Sequence, residues 1–424
     1  MNTASSKPAW FARPRLGMFV HFGLYAIAGW HEQDQMRRHI PRAEYARLLA
    51  QYNPVQFDPD ALLDLAQCAG MEYLCFTTKH HDGFCLWGTQ TTDYNVMRTP
   101  YGKDVTRQVA DACHRRKMPL GLYYSVADWH HPNYPNSGRH HELAGPEPGD
   151  RPDWNAYMAY LIKQVRELCS NYGPVRHFFW DMNVPQHRDP SVNAMLRGLQ
   201  PGIVINDRGF DEGDFGTPER NYHPEATAAV TAFTRPTEAC NSVGTQSWGY
   251  RADEDYYCPR YLMQQIDAIM AKGGHYLLNV GPDGHGQVPA QAVALLEKIG
   301  RWYHAVREAF DGCHPANELV VNRDVLLTAR DHVVYVHVVS PPASDAVILH
   351  PLAHMPRRAT LLNTGAPVSA CVAVLPMYWQ TGQPCLRLHH LPLHTVPDEV
   401  PVIKLEFAAP LHAGATTHEQ AFQG

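Results

Sequence analysis

The chain contains 424 residues, of which 45% are hydrophobic and 18% are charged, and its formal net charge is −6. This length accommodates two or three domains, or one barrel with an appendage. The weak charge argues against a nucleic-acid partner or a membrane surface, and no apolar run is long enough to span a bilayer. The first seven residues lack the apolar core of a signal peptide, so we expect a cytoplasmic protein.

Predicted strands and helices alternate along the first three quarters of the chain. Strands are expected at residues 16–23, 72–78, 119–125, 175–181, 203–208 and 276–280. Helices are expected at residues 43–51, 60–69, 104–117, 154–170, 192–199, 261–271 and 289–309, and the stretch 211–250 is expected to be loop-rich and polar. The strands are apolar without alternating polarity, which is typical of a parallel sheet buried on both faces. Because no G-x-G-x-x-G follows a strand, we predict a (β/α)8-like barrel rather than an open doubly wound sheet.

The pattern changes near residue 317. Short β-rich segments punctuated by Pro, Gly and Asn are found at 320–321, 325–328, 332–339, 346–349, 359–362, 372–375, 385–388 and 402–407. This pattern is typical of a small antiparallel β-sandwich. We therefore predict a barrel at 1–315, a sandwich at 316–410 and a disordered tail at 411–424.

The strand at 175–181 ends in Asp181, a carboxylate next to aromatic residues. Such a group is costly to bury unless it is paired or used, and barrel chemistry is found at the carboxyl ends of strands. Glycoside hydrolysis needs two carboxyl groups across the sugar ring. Glu219 and Glu238 are the candidates for the second group, and their spacing does not choose between them. A structural ion pair is an equally good interpretation of Asp181 and the commoner interpretation of each Glu taken singly.

Histidines also follow predicted strands, at His21, His80 and His81. Adjacent histidines on a strand point to opposite faces, so His80 and His81 are a poor pair for one metal ion. Neutral imidazoles that bind sugar hydroxyls explain the set better than metal ligands do. Ordinary core histidines remain an alternative. Five tryptophans are candidates for apolar walls or for plain core: Trp30, Trp87, Trp129, Trp180 and Trp248.

Six phrases occur in an order that resembles the α-L-fucosidases of glycoside hydrolase family 29. They are FVHFGLY at 19–25, KHHDGF at 79–84, LYYS at 122–125, WD at 180–181, SWGY at 247–250 and LLNVGPDG at 277–284. The resemblance implies a (β/α)8-like barrel, a following β-sandwich, and hydrolysis of α-L-fucosides with retention and without a metal or other cofactor.

Carried over by position, the resemblance implies that Asp181 is the nucleophile. Glu219, in the phrase at 214–219, is the first choice for the acid/base and Glu238 is the second. The residues expected to bind the sugar are His21, Trp30, His80, His81, Tyr123, Arg208 and Trp248. The chain departs from the family pattern at Met182, where Gly is common, and at Phe22, where Trp is common. Glu32 is a substitute for an acid that some members have beside the Trp30 position.

Two other functions fit the same residues. One is a metal-dependent barrel hydrolase that uses His21, His80, His81 and Asp181, and the other is a catalytically weak fucose-binding protein. The expected partner is a fucosylated oligosaccharide, with neither a nucleic acid nor a membrane. A homo-oligomer is compatible with the sequence.

Overall fold

The computed structural model describes residues 9–182, 187–220, 230–322, 324–340 and 343–411. The described residues of Met1–Asn221, Arg235–Tyr257 and His275–Lys298 form one compact unit, and those of Tyr222–Thr234, Cys258–Gly274 and Ile299–Gly424 form a second. The predicted boundary between 315 and 316 stays a prediction, since the second unit also takes in earlier parts of the chain. The predicted tail lies outside the described residues except for Leu411.

The first unit is organised around a parallel sheet of seven strands in the order β5-β4-β3-β2-β1-β7-β6. The strands are β1 Leu16–Val20, β2 Leu74–Lys79, β3 Leu120–Ser125, β4 His177–Asp181, β5 Val204–Ile205, β6 Glu238–Ser242 and β7 His275–Val280. Nearly every residue in them is buried. Burial on both faces explains why the strands appear as apolar runs, and the prediction of a parallel sheet is confirmed.

Helices separate most of these strands. Three short helices follow β1, and longer ones precede or follow the other strands: α1 Tyr25–Ala28, α2 Asp34–Arg37, α3 Arg42–Tyr45, α4 Pro59–Cys68, α5 Val105–Arg115, α6 Trp154–Asn171, α7 Pro190–Leu199, α8 Pro259–Met270 and α9 Ala290–Val306. Four helices begin at an aspartate whose side chain accepts a backbone N–H of the first turn: Asp58, Asp104, Asp153 and Asp189. These caps satisfy amide groups that would otherwise lack partners and fix where each helix begins.

The edge strands β5 and β6 are both bridged by residues 214–220. Parallel bridges pair Asn206 with Phe215, Gly216 with Thr237, and Glu219 with Cys240. The backbone N–H of Cys240 donates to the carbonyl of Pro218 at 3.0 Å. This irregular segment therefore holds Glu219 by backbone hydrogen bonds to a strand of the sheet.

The stretch 211–250, expected to be loop-rich and polar, contains the strand β6, which the sequence does not predict. All five residues of this strand are buried although Glu238, Asn241 and Ser242 are polar. Polar side chains inside the sheet remove the apolar signal by which the other strands can be recognised.

The second unit contains two antiparallel sheets, in the orders β13-β12-β16-β10-β9-β8 and β11-β15-β14. The strands are β8 His314–Pro315, β9 Leu326–Arg330, β10 Val333–His337, β11 Ala346–Leu349, β12 Arg358–Leu361, β13 Ala366–Pro367, β14 Ser369–Ala373, β15 Cys385–His389 and β16 Val402–Glu406. One hydrophobic cluster joins residues of both sheets, including Val336, Leu386 and Ile403. Residues 320–321, expected as a strand, instead follow a 3-10 helix, Asn317–Leu319. Across the described helices, none combines the length and apolar character needed to cross a membrane.

Candidate active site

The carboxyl ends of β1 to β4 open into one cavity of about 600 Å³. His21 follows β1, His80 and His81 follow β2, Tyr123 lies in β3, and Asp181 ends β4. The cavity also contacts three of the other predicted residues: Arg208, Glu219 and Trp248. Strand ends in a parallel sheet meet at the same edge, which is why residues so far apart in sequence converge.

Asp181 is held as a carboxylate by four neighbours. Its Oδ2 accepts a hydrogen bond from the Tyr123 hydroxyl at 2.7 Å, and its Oδ1 accepts one from the backbone N–H of Met182 at 2.9 Å. The same Oδ1 lies 3.3 Å from Nη1 of Arg208, and Nε2 of His81 lies 3.8 Å from Oδ2. Burial alone would raise the pKa of Asp181, but these neighbours outweigh it and hold the pKa below its ordinary value.

Arg208 contacts both candidate carboxylates. Its Nη1 lies 2.9 Å from Oε2 of Glu219, and its Nη2 donates to the carbonyl of Thr217 at 2.7 Å. Oδ1 of Asp181 and Oε2 of Glu219 are therefore at most 6.2 Å apart, since their distances of 3.3 and 2.9 Å end on the same nitrogen. Burial opposes the charge of Arg208, yet Glu219 and Asp181 raise its pKa. The Glu219 side chain is 39% exposed and Asp181 only 18%, so the two acids differ in access to water.

The three predicted histidines are buried in the cavity wall. Nδ1 of His21 lies 2.7 Å from Oδ1 of Asn279, and Nδ1 of His81 lies 2.7 Å from the Ser125 hydroxyl. Burial lowers the pKa of His21 to about 4 and lowers those of His80 and His81 as well. These imidazoles are therefore neutral at neutral pH, and each can offer a ring nitrogen to a hydroxyl group.

The residue after each acid has a left-handed backbone. Met182 has φ 60° and Arg220 has φ 45°. This conformation costs a residue other than glycine about 1–2 kcal/mol. A glycine at position 182, which the resemblance implies, would avoid this cost. The chain accepts strained backbone next to both acids, as is common at functional sites.

Glu238, the second choice for the acid/base, is placed elsewhere by the structure. It opens β6, at the amino end of a parallel strand, whereas Asp181 ends β4. Glu238 is fully buried, accepts a hydrogen bond from the Tyr73 hydroxyl at 2.7 Å, and lies 3.0 Å from Nε2 of His177. The structure does not bring it to the cavity, so this choice requires correction.

The tryptophans divide into two groups. Trp248 lines the cavity with Phe19 and Phe179. Trp30 does not line it, contrary to the expectation, because its ring packs on His31 instead. Three other tryptophan rings are fully buried and do not line the cavity, which fits the alternative that they are ordinary core residues: Trp87, Trp129 and Trp180.

Several cavity residues were not selected from the sequence. Glu32, considered only as a substitute, is 1% exposed and accepts hydrogen bonds from the Ser247 hydroxyl and the Trp248 backbone N–H, both at 2.8 Å. Other missed residues are in loops or helices that follow strands: His31, Gln33, Arg37, His140, His141, Arg220 and Gln246. The adjacent histidines His140 and His141, in the loop after β3, are a sequence signal by which this part of the cavity can be recognised.

The metal alternative needs several ligands at one point. Among the residues that the structure describes, no group of three or more His, Cys, Asp or Glu side chains is arranged to hold a metal ion. Nδ1 of both His21 and His81 is already engaged by Asn279 and Ser125.

Comparisons with known proteins identify the family of this chain. The α-L-fucosidase family model matches residues 2–308. Human plasma α-L-fucosidase is 25% identical over an alignment of 431 positions, and the match covers 92% of this chain and 88% of the relative. The α-L-fucosidase isoenzyme 1 of Paenibacillus thiaminolyticus is 31% identical with a TM-score of 0.82, covering 94% of this chain and 97% of the other.

A third comparison bears on mechanism. A GH29 α-L-fucosidase of Bacteroides thetaiotaomicron, solved as a trapped covalent intermediate with 2-fluoro-fucosyl fluoride in a Glu-to-Gln variant, is 26% identical. Its TM-score is 0.76, and the match covers 92% of this chain and 94% of that one. The chain therefore belongs to the α-L-fucosidase family and is a glycoside hydrolase.

Proposed function

We propose that the protein removes terminal α-L-fucose from glycans or glycoconjugates with retention of configuration, through a covalent intermediate on Asp181 and with Glu219 as acid/base. The observation that supports this most directly is the pair of contacts to Arg208. Their upper limit of 6.2 Å between carboxylate oxygens lies below the separation of about 6.5–9.5 Å typical of inverting enzymes and near the 5–5.5 Å typical of retaining ones. The trapped covalent intermediate of the Bacteroides relative also supports retention.

The first step forms a bond between a carboxylate oxygen of Asp181 and the anomeric carbon. The glycosidic bond breaks, and its oxygen takes the proton from the carboxylic acid of Glu219. In the second step, the carboxylate of Glu219 takes a proton from water while the water oxygen attacks the anomeric carbon. The bond to Asp181 then breaks, and fucose leaves in the α configuration.

Arg208 suits both steps because it contacts both acids. Before the first step, its cation faces the charge of Asp181, and after this step Asp181 is an ester while Glu219 is the carboxylate. One fixed guanidinium therefore stabilises the single negative charge at each stage without moving. The neutral histidines bind sugar hydroxyls, and the Phe19 and Trp248 rings pack against apolar faces of the sugar.

The proposal includes the finer architecture. Seven parallel strands, with both edges bridged by residues 214–220, fit a (β/α)8-like barrel. The two antiparallel sheets with a shared hydrophobic cluster fit a β-sandwich. A cytoplasmic location and a homo-oligomeric state stay predictions.

The stereochemistry of azide rescue tests the two roles. Asp181→Gly should nearly abolish release of nitrophenol from 4-nitrophenyl α-L-fucoside, and azide should restore turnover by direct attack, giving β-fucosyl azide. Glu219→Ala should lose about 10²–10⁴-fold, and azide should attack the covalent intermediate, giving α-fucosyl azide. Proton NMR distinguishes the two products.

Glu238→Gln is the matched control, since it changes a carboxyl group outside the cavity. It should retain turnover and need no azide. The β-azide from the Glu219 variant would contradict the assigned roles. A folded wild type that binds fucose without hydrolysing the fucoside would support the binding-protein alternative, and loss of activity with a chelator, restored by zinc, would support the metal-dependent one.

A further inference from the structure

Two arginines line the active-site cavity without contacting either of the proposed catalytic acids. Arg37 ends α2, and Arg220 follows Glu219 in sequence. Burial is the main cause that lowers the pKa of the His31 imidazole; the charge of Glu32 opposes it, and the charges of Arg37, Arg220 and Arg251 add to it. Nδ1 of His31 accepts the backbone N–H of Gln33 at 2.9 Å and lies 3.3 Å from Oε2 of Glu32. The outer cavity thus has two arginine cations near His31 and the buried carboxyl group of Glu32.

These arginines differ from Arg208 in their partners. Within the described parts of the chain, no carboxylate oxygen lies within 4.0 Å of Arg37 or Arg220, whereas Arg208 has two acids in contact. Nε of Arg37 donates to Oε1 of Gln33 at 3.0 Å. Nη1 of Arg220 donates to the Thr245 carbonyl at 2.9 Å. Both guanidinium groups have further N–H donors for which the described residues provide no acceptor.

Nearby acids do not neutralise them by contact. Glu32 is buried, and its Oε2 accepts the Ser247 hydroxyl at 2.8 Å. Glu254 faces Arg220 and Arg251, but it accepts backbone N–H groups of the loop, such as that of Gln246 at 2.9 Å. Arg37 is exposed and Arg220 is half-buried, so their remaining donors are open to water, and an anion that enters the cavity can take the place of this water.

The position of Arg220 is defined. Its guanidinium carbon lies 4.5 Å from the centre of the Trp248 ring, an arrangement that orients the planar group. The ring of Trp248 lines the same cavity. Because the guanidinium is already ordered, binding an anion there loses less side-chain entropy.

The cavity is larger than one sugar. A deoxyhexose has eleven non-hydrogen atoms, and it needs at most about 330 Å³ even if each atom is given the ~30 Å³ that a water molecule occupies in the liquid. The cavity volume of about 600 Å³ leaves space for part of the aglycone.

We infer that Arg37 and Arg220 form a subsite for an acidic group, a carboxylate or a sulfate, on the aglycone of the fucoside. The inference rests on the proposed hydrolysis of fucosides and adds a substrate class to it. A guanidinium presents parallel N–H donors that match the oxygens of both anions. The anion binds beyond the scissile bond, so it affects which fucoside is used and leaves the chemistry unchanged.

The test uses matched pairs of nitrophenyl α-L-fucosides. One pair has a carboxymethyl or a carboxamidomethyl substituent on the aryl ring, and a second pair has sulfomethyl or methylsulfonylmethyl. Each pair differs in charge, and the methylene group limits the electronic effect on the leaving group. The measured quantity is the ratio of kcat/KM for the acidic to the neutral member, which we expect to be about two- to tenfold for the wild type at low salt, because exposed ion pairs contribute modestly.

The expected ratio falls towards one in 1 M salt and in Arg37→Gln and Arg220→Gln. Arg38→Gln is the matched control, because Arg38 pairs with Asp34 at 3.3 Å and does not line the cavity, and it should keep the wild-type ratio. Preference in one pair only would identify the anion as carboxylate or sulfate. A wild-type ratio of one in both pairs, with all substrates hydrolysed, would overturn the inference and leave the proposed function intact. No hydrolysis of any substrate by folded protein would overturn both.

Discussion

Tyr123 and Tyr124 are neighbours on β3 with different surroundings. The hydroxyl of Tyr123 donates to Asp181 at 2.7 Å, and that of Tyr124 donates to Oε1 of Gln164 at 2.7 Å. Successive side chains of a strand point to opposite faces, so only one of the two reaches the site. They form a natural pair of variants that differ in their effect on the nucleophile.

Tyr123→Phe should move the acid limb of the pH profile of kcat/KM to higher pH. The lost hydrogen bond favours the ionised form of Asp181, so its removal raises the pKa of this carboxyl group from its lowered value. The fraction of ionised nucleophile then falls at a higher pH than in the wild type. Tyr124→Phe should leave the acid limb in place. The same apparent pKa of the acid limb in both variants would show that Tyr123 does not affect the ionisation of Asp181.

Most of the site can be predicted from the sequence by the rule that barrel chemistry lies at the carboxyl ends of strands. Asp181, His21, His80 and His81 follow or end apolar runs, and the structure brings all four to one cavity. The sequence does not reveal the strand that Glu238 opens, and the prediction therefore places this acid in a loop near Asp181. In the structure it lies at the amino end of β6. A sequence does not show which end of an unrecognised strand an acid occupies.

At the scale of elements, β6 depends on a buried polar cluster. Glu238 accepts the Tyr73 hydroxyl at 2.7 Å and lies 3.0 Å from Nε2 of His177. A Cβ atom at Gly17 in β1 would overlap the ring of Tyr73, so glycine provides the space for it. The cluster links residues of separate strands and replaces part of the apolar core there.

Glu238→Ala should lower the free energy of unfolding by about 2–5 kcal/mol, because it leaves buried polar partners without an acceptor. The folded variant should keep its turnover of the aryl fucoside. Glu219→Ala should show the reverse, with lost turnover and nearly unchanged stability, since its side chain is 39% exposed. Denaturant unfolding and steady-state kinetics on both variants check this contrast. Equal free energies of unfolding for the two variants would contradict it.

The helices that begin at a capping aspartate are easier to predict than β6 because each has a clear beginning in the sequence. α4 and α7 start with an aspartate cap followed by Pro, and α6 with a cap at Asp153. The two-residue strand β5 and the bridges of 214–220 depend on pairing between distant segments, which local sequence does not specify.

At the scale of the whole molecule, α8 belongs to the second compact unit although it lies between β6 and β7 in the chain. Its Asp267 lies 2.8 Å from Nδ1 of His337, with both side chains fully buried, and Gln264 donates to the carbonyl of Val339 at 2.8 Å. The helix therefore needs the antiparallel strands to cover it. A linear reading of the sequence divides the chain at one point and cannot assign an earlier helix to a later unit.

A chain cut at the predicted boundary, residues 1–315, should be insoluble or aggregate. The cut removes the partners of Asp267 and Gln264, His337 and the Val339 carbonyl, and so leaves a buried carboxyl group and this side of α8 uncovered. A chain of residues 1–411 is the control and should remain soluble and active. Size-exclusion chromatography and aryl fucoside turnover give the answer, and a soluble, active 1–315 chain would contradict the prediction.

The two acids are attached to the fold in unequal ways. Asp181 is in register with Ser125 of the neighbouring strand, while Glu219 belongs to a segment joined to the sheet by isolated bridges. An inserted or deleted residue in β4 would shift a whole ladder, whereas one near Glu219 would disturb few pairs. We therefore expect homologues to keep the proposed nucleophile at a fixed position and to vary the position of the proposed acid along its segment. Homologues aligned on this chain should have gaps beside Glu219 and none beside Asp181.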